Sequence, residues 1–145
     1  MRVLIDADGC PVVDLALEAC RRRGLPVLLF CDTAHTFDRP GAQTITVSKG
    51  ADSADFALVE QVRPGDIVIT QDYGLAAMCL AKGGRPISQD GLRYTADNMD
   101  ALLQSRYETK RILAAGGRVK GPKKRKGSQN VAFMQTLEQL LDSTI

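Results

Sequence analysis

Residues 2–12 read RVLIDADGCPV: Arg2-Val3-Leu4-Ile5 is a short apolar run that stops at a carboxylate, Asp6, with Asp8 two residues on and Pro11 after a turn. An apolar run of this length bounded by turn residues is a buried strand. Pro11 suits a first helical turn, where its missing N–H costs nothing. The segment Pro11 to Arg23 carries Val12, Ala16, Ala19 and Cys20 at helical spacing, and Gly24 can end it. The pattern then repeats. Strands are expected at Val27–Cys31, Thr44–Val47, Ile67–Thr70 and briefly at Pro86–Ser88, and helices at 53–62, 73–82 and 97–115. Short apolar strands alternating with helices give an α/β fold: three layers, α/β/α, around a mainly parallel sheet of four to five strands. One domain is expected over 1–145. It ends in a basic flexible loop over 117–129 and a C-terminal helix over 130–143, capped by Asn130, with Phe133, Leu137, Leu140 and Leu141 on one face.

Composition narrows the chemistry. Residues 1–105 carry a net charge of −4 and residues 106–145 one of +6. An acidic body with a basic end suits a polyanionic partner. His35 is the single histidine, which removes mechanisms that need two. The cysteines Cys10, Cys20, Cys31 and Cys79 show no CxxC spacing, so free thiols are expected rather than a zinc or redox site. Cys10, beside the acidic stretch, reads as a packed thiol or a reactive one near a helix start. No apolar run reaches the roughly 20 residues of a membrane helix, and the chain meets an acidic residue too early for a secretory signal. A cytoplasmic location without membrane attachment is the expectation.

The acidic residues matter because of where they fall. Ligands of open parallel sheets bind beyond the carboxyl ends of the strands, where strand order reverses. Asp6 ends the first strand and Asp8 follows it; Asp72 lies just past the fourth strand. Asp52 and Asp55 open the helix after the third strand. Asp55 stands three, four and seven residues before Leu58, Val59 and Val62, on the apolar stripe. Carboxylates that converge raise one another's pKa unless a cation joins them. Oxygen donors of this kind suit Mg²⁺ or Mn²⁺. The metal ligands expected are Asp6, Asp8, Asp52, Asp55 and Asp72, with Thr70 and Lys49 in support. The plainer alternatives are helix capping for Asp72 and for the Asp52/Asp55 pair, a turn for Asp8, a structural strand-end role for Thr70, and solvated side chains for Lys49 and His35.

Arg118, Lys120, Lys123, Lys124, Arg125 and Lys126 place six cations in nine residues. Such density binds phosphate backbones by counterion release; the alternative is a solubilising loop. No RNA-recognition module with a stacking motif is visible.

The strings Ile5-Asp6-Ala7-Asp8-Gly9-Cys10-Pro11-Val12, Gly50-Ala51-Asp52-Ser53-Ala54-Asp55 and Thr70-Gln71-Asp72-Tyr73-Gly74-Leu75-Ala76 together resemble the YaiI/YqxD-like family of bacterial proteins, over essentially the whole chain. Gly121-Pro122 before the basic run and the Phe133-containing helix also resemble it. The resemblance implies a PIN-like fold. By that analogy Asp6, Asp55 and Asp72 would be the catalytic core ligands of a Mg²⁺- or Mn²⁺-dependent nuclease cutting RNA, with Asp8 and Asp52 as outer groups. Two other functions fit the residues. Asp6-x-Asp8-Gly9 mimics the nucleophile and acid of a haloacid-dehalogenase-type phosphatase. A non-catalytic RNA- or ribosome-binding protein would use the basic segment alone.

Overall fold

A computed structural model describes residues 1–32, 39–47, 53–117 and 124–143. His35, Ser48, Lys49, Asp52, Arg118, Lys120 and Lys123 therefore lie outside the described residues. The elements run β1 (Val3–Asp6), α1 (Val13–Arg22), β2 (Val27–Asp32), β3 (Ala42–Val47), α2 (Ser53–Gln61), β4 (Ile67–Ile69), α3 (Tyr73–Ala81), β5 (Arg85–Ile87), α4 (Ala96–Ala114) and α5 (Gly127–Asp142). All five strands are parallel, in the order β3-β2-β1-β4-β5. The expectation of a parallel α/β sheet of four to five strands is met at its upper count.

Strand alternation divides the core between the two faces of the sheet. Val3, Ile5, Val27, Leu29, Ile67 and Ile69 point to one side, against α1 and the α5 residues Phe133, Leu137, Leu140 and Leu141. Leu4, Leu28, Phe30 and Val68 point to the other, against Leu58 and Val62 from the α2 side and Leu75 and Cys79 of α3. Strands buried on both faces are apolar at every position, and that is why they read as continuous runs in the sequence. α4 adds to the second layer by packing Met99 and Leu102 on Ala76, Ala77 and Leu80 of α3. Among the described residues no helix is long and apolar enough to cross a membrane.

Two sequence expectations are corrected. The strand expected at Thr44–Val47 starts two residues sooner, because β3 begins at Ala42 and pairs with β2 from Val27↔Ala42 onward. α5 begins at Gly127, inside the stretch expected as a loop, and its N-cap is Lys126 rather than Asn130. Gln129 Oε1 accepts the Lys126 amide at 2.6 Å, which starts the helix three residues early. Asn130 is released from capping and accepts a hydrogen bond from Arg125 Nε at 2.8 Å.

Candidate metal centre at the strand-order switch

β1 is the central strand, with β2 on one side and β4 on the other. The chain adds strands outward from β1 to β3, then crosses back to place β4 beside β1. The reversal of strand order thus falls between β1 and β4, the position at which parallel sheets hold ligands. Ile5 pairs with Ile69, so Asp6 and Thr70 follow directly on neighbouring strands.

Thr70 Oγ1 donates to Asp6 Oδ2 at 3.0 Å and accepts the Asp72 amide at 3.0 Å. The carbonyl of Thr70 accepts from the buried Tyr94 hydroxyl at 3.1 Å, fixing the strand end from below. Asp72 is the N-cap of α3: its Oδ1 accepts Gly74 N at 2.9 Å and Leu75 N at 3.2 Å. The capping role weighed for Asp72 is real, and its carboxylate also acts electrostatically on Asp6. Arg106 Nη1, from α4, stands 3.5 Å from the same Oδ1. Asp8 Oδ2 accepts the Asp32 amide at 3.1 Å, tying the turn after β1 to the end of β2.

Burial pushes the Asp6 carboxyl up to about 6; the Thr70 hydrogen bond opposes this, and the Asp8 and Asp72 carboxylates push further upward. The opposite edge of the sheet makes a contrast. There the buried Asp66 meets Arg2, Nη2 to Oδ2 at 2.9 Å, and also accepts the amides of Arg2 and Arg63. An acid at the amino edge has a cation; Asp6 at the carboxyl edge has other acids.

The expected constellation is gathered in part. Asp6, Asp8, Thr70 and Asp72 come together. Asp55 sits half-buried in the first turn of α2, and it acts electrostatically on Cys79 of α3. Among the described residues no three His, Cys, Asp or Glu side chains stand close enough together to hold a metal ion. Mg²⁺ needs less: it binds through one or two carboxylates and completes its shell with water and substrate phosphate. The hard oxygen donors of Asp6 with Asp8 or Asp72 fit that requirement.

Of the basic residues, Arg125 is engaged with the protein itself. Its Nη1 meets Asp90 Oδ1 at 2.8 Å and its Nη2 meets Gln89 O at 2.8 Å. Gln129 adds a bond to the same Asp90 Oδ1 at 3.2 Å. Lys124 and Lys126 are exposed. Cys10 is half-buried against the core, and burial pushes its thiol upward with a further push from Asp6. Sequence reasoning missed Arg106 and Tyr94. Arg106 carries no sequence signal, because it sits on a polar helix more than thirty residues from Asp72.

A family model described as "Uncharacterized BCR, YaiI/YqxD family" matches residues 4–143. The chain belongs to the YaiI/YqxD family. It is similar to a UPF0178 protein of Exiguobacterium sibiricum, 52% identical over 141 residues, covering 97% of this chain and 96% of the relative. A UPF0178 protein of Ruminiclostridium cellulolyticum is 42% identical over 137 residues, 94% of this chain and 90% of the relative. One from Enterococcus faecalis is 36% identical over 148 residues, with each chain covered in full. The YaiI/YqxD membership extends across both the acidic crevice and the C-terminal helix.

Proposed function

We propose that this protein is a Mg²⁺- or Mn²⁺-dependent nuclease acting on RNA at the crevice between the carboxyl ends of β1 and β4. The observation that carries the reading is the state of Asp6. It lies half-buried at the switch point, with its carboxyl raised to about 6 by burial and by Asp8 and Asp72. At neutral pH it is ionised beside two other acids, an excess of negative charge that a hard divalent cation neutralises.

Asp6 and Asp72, with Asp8, are the ligands of this proposal, and Asp52 and Asp55 are the groups that α2 and the segment before it would add. Bound there, the ion would supply charge stabilisation for the scissile phosphate and a more acidic water. The protein's own groups do the rest. The Thr70 hydroxyl orients Asp6, and the α3 amides orient Asp72. Arg106 beside Asp72 supplies a cation for a phosphate oxygen. Lys49 is a candidate for the same task.

The phosphatase alternative, with Asp6 as nucleophile and Asp8 as proton donor, has less behind it. Asp8 Oδ2 is taken up by the Asp32 amide at 3.1 Å, which ties this carboxylate to the end of β2. A purely RNA-binding role leaves the crowding of acids at the switch point without a purpose.

The test is calorimetric titration of wild type and Asp6→Asn with Mn²⁺ at pH 7.5, followed by cleavage of single-stranded RNA. Uptake by wild type and loss of both uptake and cleavage in the variant are expected. A wild-type trace without heat of binding removes the metal from the proposal.

A further inference from the structure

We propose that the outer half of α4 is the track along which single-stranded RNA enters the crevice, with Lys110 and Arg111 on its phosphates and Tyr107 stacked on a base. This inference rests on the nuclease reading and names how that site takes its substrate.

The first half of α4 has a reason to be helical. Thr95 and Asn98 form a reciprocal capping box, and Met99 is buried against α3. The second half has no such support. From Leu103 to Gly117 every residue except Thr109 is exposed. A helix segment with no buried face is retained for what it meets. This one rises about 12 Å from Arg106 to Ala114.

Its charge is sorted by face. Residues three and four apart share one side of a helix, which places Arg106, Tyr107, Lys110 and Arg111 together. The single acid in this half, Glu108, borders this face three residues before Arg111, and it accepts a hydrogen bond from Gln104 Nε2 at 3.2 Å. The cationic face is continuous with the crevice, because its first member, Arg106, stands 3.5 Å from Asp72. Tyr107 is 57% exposed, and the Arg111 guanidinium lies 5.9 Å from its ring centroid. Cations interleaved with an open aromatic ring are the equipment for single-stranded nucleic acid, whose phosphates and unstacked bases are both within reach. A cationic helix face beside an acidic crevice gives a polyanion an attractive approach to that crevice.

The experiment uses the whole protein and a short fluorescein-labelled single-stranded RNA of mixed sequence, read by anisotropy in EDTA so that binding is separated from cleavage. Lys110→Gln with Arg111→Gln should weaken binding about tenfold. It should also flatten the log–log salt dependence by about 1.4, the loss of two phosphate contacts on a single strand. Tyr107→Ala should weaken binding about tenfold at unchanged salt slope. Lys82→Gln with Arg63→Gln removes the same charge from exposed positions elsewhere and should leave Kd within about twofold. Wild-type affinity and slope in the α4 variants would overturn the proposal. So would sedimentation showing that wild type self-associates and the α4 variants do not, since a second copy would then cover this face. Cleavage of the same RNA in Mn²⁺ is followed separately. If wild type binds with these losses yet cuts nothing, the track stands and the nuclease reading falls.

Discussion

Thr70 Oγ1 lies 3.0 Å from Asp6 Oδ2, a hydrogen bond between two strand ends that are 64 residues apart in the chain. The same oxygen receives the Asp72 amide, so one hydroxyl connects both acids. Thr70→Val removes the donor to Asp6 and the acceptor for Asp72. The Thr70 bond holds the Asp6 carboxyl down, so its loss should move that titration above 6. Carboxyl NMR of Asp6 reads the shift, and the midpoint of Mn²⁺ binding against pH should move upward with it. The stability cost should be about 1–3 kcal/mol, the usual penalty for a buried polar group left without its partner.

Asp6 also sets a pH dependence in the metal-free protein. Its folded value, about 6, lies above the ordinary 3.8. An acid shifted upward makes its contribution to stability below the unfolded value and loses it as pH rises through the folded value. Stability without metal should therefore fall between about pH 4 and pH 7, by on the order of 2–3 kcal/mol. Asp6→Asn should flatten this window and leave the metal-free protein more stable than wild type at pH 7, while binding no Mn²⁺. Urea midpoints across the pH range measure it; a variant less stable than wild type at pH 7 contradicts it.

Arg125 should behave as a structural residue. Its guanidinium joins Asp90, Gln89 and Asn130, fastening the start of α5 to the turn after β5. Arg125→Ala should lower stability by about 1–3 kcal/mol. RNA affinity of the folded variant should stay close to wild type, whereas Lys124→Ala with Lys126→Ala should leave the melting temperature unchanged. Thermal melts and anisotropy on the same samples separate the two roles.

Gly91 permits the same junction by having no side chain. Its φ is +86°, and an added Cβ would meet Ala132 O at 2.5 Å and Thr136 Oγ1 at 2.9 Å. Backbone oxygen cannot yield, so Gly91→Ala should push α5 off the turn at a cost of several kcal/mol, strain and clash together. Loss of amide protection in α5 by hydrogen exchange, ahead of the sheet, is the expected signature.

β1, β2 and β4 were readable because each is buried on both faces, which leaves an apolar run; the edge strand β3 is only half-buried and carries Gln43, Thr44 and Thr46, so its start was less distinct. The crevice was readable because Asp6 and Asp72 stand immediately after such runs, and strand ends locate a parallel-sheet site. What escaped depends on pairs distant in sequence. Arg125 looked like one more cation of a basic run, and only the fold brings Asp90 to it. Arg106 and Tyr94 reach Asp72 and Thr70 by tertiary packing of α4 and of the turn before it, which no spacing rule encodes. The early start of α5 was hidden because Gly127 and Lys126 carry no capping signature. Asp55 is half-buried in the first turn of α2, where its carboxylate acts on the Cys79 thiol of α3.

The central strand of the sheet is the first to be synthesised, and its right-hand neighbour is the fourth. A ribosome therefore releases Asp6 long before the hydroxyl that orients it or the second acid that flanks it. Until Thr70 and Asp72 have been made, the nascent chain holds one wall of a cleft whose other wall is still missing. Any cutting of RNA by this molecule waits until translation has passed α3, a delay built in by strand order alone.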